Sequence, residues 1–198
     1  MKKMMLLGAL ILSAASGFGQ ESRQDASVSL LGTFAPEVHG NAIQQDTKYT
    51  YDGFLGSYRY MLTPRSALEV NYSFAQGYQY YTTSFLTGRV HQRQQEISAA
   101  YVYSLNFRRF SPFLEAGPGA LIFTPITDYG STSFDTKQTL GIGGLFGGGL
   151  AYELSPSFDV RVEYRGFVTK APSFGLSSFA TNRYEVISMP AIGVAYHF

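Results

Sequence analysis

Within the stretch FDVRVEYRGF, Phe158, Val160, Val162 and Tyr164 alternate with Asp159, Arg161, Glu163 and Arg165. Period two places successive side chains on opposite faces of a β-strand, and a helix cannot use it. The pattern recurs eight times between residue 25 and Phe198. The first segment sets Ala26, Val28, Leu30, Gly32 and Phe34 against Ser27, Ser29 and Thr33. The second opposes Phe54, Gly56, Tyr58, Tyr60 and Leu62 to Gly53, Leu55, Ser57 and Arg59, and the third Leu68, Val70, Tyr72 and Phe74 to Glu69, Asn71 and Ser73. In the fourth, Ile97, Ala99, Tyr101, Tyr103 and Leu105 face away from Glu96, Ser98, Ala100 and Ser104. The fifth and sixth carry Leu114, Ala116, Ala120 and Ile122 opposite Glu115, Gly117 and Gly119, then Leu140, Ile142, Phe146, Leu150 and Tyr152 opposite a glycine-rich strip ending in Glu153. FDVRVEYRGF is the seventh. The eighth closes the sequence, with Ile192, Val194, Tyr196 and Phe198 on one side and Ala191, Gly193, Ala195 and His197 on the other.

The connections alternate too. Breaks at Thr63-Pro64, Asn106 to Pro112 and Ser155-Pro156 are short, and each contains a proline, which cannot donate to a ladder. Breaks near 36–48, 76–92, 124–138 and 169–183 are long and polar. An all-β, eight-stranded antiparallel up-and-down meander puts short turns at one end and long loops at the other. Pro118, lodged between Gly117 and Gly119 in the fifth segment, predicts a bulge there.

Alternation alone does not say which face is wet. Charged residues make up 15% of the chain, against roughly 25% in a typical soluble domain, while 16 Phe, 15 Tyr and 21 Gly favour strands. The polar face holds Ser, Gly, Ala, Asn, Glu and Arg rather than the Lys of a soluble surface. Small residues fit a narrow interior. Tyrosines crowd strand ends, where an amphipathic ring sits at headgroup level. A transmembrane barrel with lipid outside explains both faces, and the absence of water in hydrocarbon then requires the eighth strand to pair with the first. The glycines of strands five and six leave room for the bulkier inward Leu31, Leu55, Phe167, Ile187 and Met189. The rival is a soluble lipocalin-like barrel with the faces exchanged.

Residues 1–20 supply an address. Lys2-Lys3, the apolar run Met4 to Leu12 and the small residues Ser13 to Gly17 follow the order of a cleavable signal peptide, and the run is shorter than the roughly 20 residues a spanning helix needs. Residues 21–198 are the barrel domain. Cysteine is absent, excluding disulfides, thiolate metal sites, a Cys nucleophile and a lipoprotein anchor. Basic and acidic residues nearly balance, 15 against 14, so no basic stripe speaks for nucleic acid.

The ending Gly193-x-x-Tyr196-x-Phe198 resembles the C-terminal insertion signal of bacterial outer-membrane proteins, with Ala191 in place of the usual polar residue. SPFLEAGPGALIF (Ser111 to Phe123) and FDVRVEYRGF resemble strands five and seven of the OmpA/OmpX-like small outer-membrane β-barrel superfamily. The resemblance implies residence in the bacterial outer membrane, contact with its lipid, and insertion by the barrel assembly machinery after periplasmic chaperoning. It implies no common activity.

Arg59, Glu69, Glu96, Glu115, Glu153, Asp159, Arg161, Glu163 and Arg165 share the inward parity, mostly in the short-turn half of their strands. They read either as a gated ion path or as a paired network plugging the lumen, and a barrel this narrow favours the plug. The acids outnumber the arginines, so part of the carboxylate charge needs a proton or water. The run Gly141 to Gly149 lacks the Gly-Lys-Ser/Thr ending of a phosphate loop and reads as barrel wall. His39 and His91 fall in the first two long loops, with Glu37, Asp46 and Ser84 nearby in sequence, but no signature of a lipid-modifying enzyme surrounds them. His197 is inward near the short-turn end. Three dispersed histidines show no metal-ligand spacing, and no cofactor is implied. The second loop, rich in Tyr, Gln, Thr and Arg, suits a surface ligand and reads as an extended hairpin. The expectation is a monomeric, non-enzymatic envelope protein with a periplasmic N-terminus and a structural or surface-interaction role. The alternatives are a narrow porin-like channel and, third, a lipid-modifying enzyme.

Overall fold

The computed structural model describes residues 23–40, 43–82, 87–127 and 136–198; the expected signal peptide, Ser84 and much of the third long connection lie outside them. Eight long strands form the wall: β1 (Gln24–Ala35), β2 (Lys48–Thr63), β3 (Ser66–Thr82), β4 (Thr87–Ser104), β5 (Phe110–Ile126), β6 (Thr139–Ser155), β7 (Phe158–Lys170) and β8 (Tyr184–His197). Each pairs antiparallel with its sequence neighbours. β8 then pairs with β1, Val194 opposite Val28, and the ring closes. Closure leaves no strand edge in lipid.

The faces follow the alternation. Val162, Tyr164 and Val194 are 51%, 54% and 52% exposed, whereas Glu163 is 8% exposed and Arg165 fully buried. An apolar surface around the whole wall is the reverse of a soluble barrel, which removes that rival. Aromatic rings girdle the short-turn end: Tyr58, Phe198, Tyr196 and Phe158 form a chain of contacts at 5.1–6.4 Å, and Phe110 meets Tyr152 at 4.9 Å. At the other end β3 and β4 run on together to the pair Thr82 and Thr87, so the second loop is an extended hairpin. Two short strands of the first loop, Val38–His39 and Gln44–Gln45, pair with each other and then with the tip of β3.

The bulge expected at Pro118 is not there. Pairing of β5 with β6 runs through Pro118 opposite Gly144 in unbroken register, and register with β4 is the same before and after it. What lapses is the ladder to β4 between Ser98–Gly119 and Tyr101–Ala116. Proline offers no N–H, so two pairs are lost without an extra residue. Gly117 makes this possible, since a Cβ there would overlap the Ala99 carbonyl. Register shifts occur instead between Leu31 and Thr33, between Met61 and Thr63, and between Glu153 and Ser155, the last two beside short turns.

Candidate functional site

The lumen is built in layers by inward positions that recur along every strand. At the short-turn mouth, His197 Nε2 lies 2.8 Å from Asp159 Oδ2, and its Nδ1 is 3.9 Å from Asp25. Glu153, also at this mouth, is exposed and lines an open vestibule of about 420 Å³ with Arg108, Asp159 and His197. It stands apart from the buried charges it was grouped with. One step deeper, Arg161 donates from both terminal nitrogens to Asp25, at 3.0 and 2.7 Å. Arg59 donates from Nε to Glu69 Oε2 at 2.7 Å, with Nη2 2.6 Å from the same oxygen, and its guanidinium lies over the Phe113 ring. Arg165 holds two acids together, donating from Nη2 to Glu96 at 3.0 Å and from Nε to Glu115 at 3.2 Å. Ser73 and Ser98 donate their hydroxyls to the two oxygens of Glu96. Glu163 is buried among these groups.

Charges out of water persist only when paired and hydrogen-bonded, and the pairing here runs across the lumen. Arg165 comes from β7, Glu96 from β4 and Glu115 from β5, so one side chain ties three strands that are not all neighbours. Five buried carboxylates (Asp25, Glu69, Glu96, Glu115, Glu163) meet three arginines. Several polar atoms in this layer, including both amide atoms of Asn71, Glu115 Oε2 and Arg165 Nη1, make no protein hydrogen bond.

Above the charges the interior turns apolar. Leu31, Leu55, Leu121, Phe123, Leu145, Phe167, Ile187 and Met189 form one contiguous buried cluster, all at 2% exposure or less. The inward bulky residues Leu31, Leu55, Phe167, Ile187 and Met189 thus stand together, over the glycines of β6. Gly143 shows the packing limit: a Cβ would come 2.8 Å from Phe167. Higher still, Gln45 donates to Glu185 at 2.9 Å, and Tyr81 stacks on Phe179 at 4.5 Å with Phe174 edge-on at 6.1 Å. Burial, and then the Glu185 carboxylate, push the Tyr81 phenol well above its ordinary value, so its hydroxyl stays protonated and donates to the Pro172 carbonyl.

The sequence itself matches a family: the model described as "Outer membrane protein beta-barrel domain" covers residues 4–198. The chain belongs to that family. As an outer-membrane barrel it sits in the bacterial outer membrane with its apolar wall in lipid. Solved structures agree in fold. Neisserial surface protein A (NspA) is 19% identical with a TM-score of 0.57, covering 89% of this chain and 98% of its own. OprG from Pseudomonas aeruginosa is 13% identical with a TM-score of 0.58, covering 91% and 98%. Ail, the attachment invasion locus protein of Yersinia pestis, is 18% identical with a TM-score of 0.51, covering 90% and 100%. The comparison with curated proteins returned no match.

In this outer-membrane barrel, sequence parity missed Asp25, the fully buried partner of Arg161. Its signal was available, since Asp25 shares the parity of Ser27 and Ser29, but it opens the first segment, where alternation has barely begun. Tyr81 was missed because it lies in the stretch 76–92 read as loop, and Glu185 because it falls just past the break at 169–183, although it shares the parity of the inward Ile187 and Met189. Of the histidines, His39 pairs with Glu37 in the exposed first loop at 2.7 Å, and His91 stacks on Tyr78 on the outer wall. Among the described residues no group of three or more metal-ligating side chains occurs.

Proposed function

We propose that this outer-membrane barrel is a non-conducting, non-enzymatic anchor that presents its long loops at the cell surface. The observation carrying the proposal is the closed lumen: Arg165, bridged to Glu96 and Glu115, lies beneath a contiguous apolar layer, so the axis offers neither an open path nor a continuous polar one. NspA and the Ail protein carry surface roles in their names, and such a role is proposed here on this chain's own extended β3–β4 hairpin and the paired strands Val38–His39 and Gln44–Gln45 of the first loop. Rigid scaffolds with elaborated loops suit recognition. A monomer fits an apolar wall whose lipid-facing residues continue around the ring.

Planar-bilayer recording of the refolded protein tests the closed lumen, and no steady conductance is expected. A steady current that shifts in E115Q or R161Q would replace this reading with the narrow channel, which the two-carboxylate excess and the unpartnered polar atoms of the lumen favour. The absence of enzymatic chemistry is tested by lipid A acylation on overexpression; an altered pattern abolished by H39A or H91A would overturn it. For biogenesis, Gly193, Tyr196 and Phe198 are proposed as the elements recognised by the barrel assembly machinery after periplasmic chaperones deliver the chain.

A further inference from the structure

The short turns of an outer-membrane barrel face the periplasm, so the vestibule at that mouth opens away from the cell surface. Its volume, about 420 Å³, falls in the range of small-ligand pockets. The floor is closed and polar: Arg59 and Arg161 are each 3% exposed, and Arg161 Nε makes no protein hydrogen bond. A ligand here enters and leaves from the periplasm. Two charges in the walls stand without partners, since among the described residues neither Arg108 nor Glu153 forms an ion pair, with the other or with anything else. The second acid of the rim, Asp159, is already taken by His197 at 2.8 Å. A cavity that holds a free guanidinium and a free carboxylate apart is complementary to a molecule carrying both charges.

The backbone gives an independent sign. Phe107 and Phe110 exchange both of their main-chain hydrogen bonds at 2.7 Å, so Arg108 and Arg109 alone make the β4–β5 turn. Arg108 takes a φ of +47°, a left-handed conformation that two-residue hairpins ordinarily give to Gly, Asn or Asp. The turn gains nothing from a long side chain at that position. Strained backbone of this kind gathers at binding sites, where the placement of the side chain outweighs the cost. The frame beneath it is braced: Asn106 Nδ2 donates to the Pro64 carbonyl at 2.8 Å, tying this turn to the one between β2 and β3. We propose that the vestibule binds a short periplasmic peptide with free ends, its carboxylate on Arg108 and its ammonium on Glu153.

The test uses the refolded barrel in phosphatidylcholine nanodiscs and equilibrium dialysis against labelled trialanine, N-acetyl-trialanine and trialanine amide. The wild type is expected to bind the peptide with two free ends about tenfold more tightly than either blocked form. R108Q should bind trialanine no better than its amide, E153Q no better than the acetylated peptide, and K170Q, at the opposite end of the barrel, should match the wild type. A fourth variant separates binding from folding. R108G removes the cation and relieves the positive φ together, so it is expected to lose the peptide while its urea midpoint stays level or rises. Equal or absent binding of all three peptides by the wild type overturns the proposal, as does an unchanged preference in both R108Q and E153Q. So does a lowered urea midpoint in R108G, which would show that Arg108 is held in place for the stability of the barrel itself.

Discussion

Arg165 shows why the lumen charges act as a unit. Its guanidinium serves Glu96 and Glu115 together, so R165M strands two carboxylates in a site without exposure. Removing one partner of a buried ion pair costs about 3–5 kcal/mol, whereas replacing all members with neutral groups of similar size is often tolerated. R165M is therefore expected to lower the urea midpoint of the refolded barrel strongly, and R165M/E96Q/E115Q to recover much of the loss. Urea unfolding followed by tryptophan-free readouts, such as tyrosine fluorescence or heat-modifiable migration, measures both, since the chain has no Trp. An equal loss in the single and triple variants would show that Arg165 acts through packing instead.

The strand is the unit that the sequence exposes most directly. Every inward carboxylate and arginine of FDVRVEYRGF is inward in β7, because side-chain period and burial are the same fact in a one-layer wall. Lipid depth follows from position along the strand. Val162→Arg, near the middle of the apolar band, is expected to cost about 2–4 kcal/mol, and Leu154→Arg, at the short-turn rim, about 0–1 kcal/mol, both read as folding free energies in lipid vesicles. Parity could not reveal who meets whom across the lumen. That depends on tilt and stagger around the ring, so Asp25 finds Arg161 from the far side of the closing seam, and the apolar layer over the charges emerges only when eight separate strands are stacked. Pro118 misled for a local reason: proline removes a donor, and a gap in the ladder absorbs that as well as a bulge does. Gly193 belongs to two accounts at once. A Cβ there would meet the Val28 carbonyl and Ser29, so G193V is expected to fail in detergent refolding, with no assembly machinery present. Normal refolding of G193V in vitro alongside lost insertion in cells would assign the glycine to recognition instead.

Taken whole, the molecule is a ring whose stiffness comes from contacts through its middle as well as around its wall. Fractionation with heat-modifiable migration is expected to find it in the outer membrane as a compact species that slows on boiling. The ring is completed where β8 meets β1, residues separated by nearly the entire barrel sequence. Until that seam forms, the sheet has two bare margins and Asp25 lacks both Arg161 and His197, so one closing event satisfies the strand edges and the buried acid together.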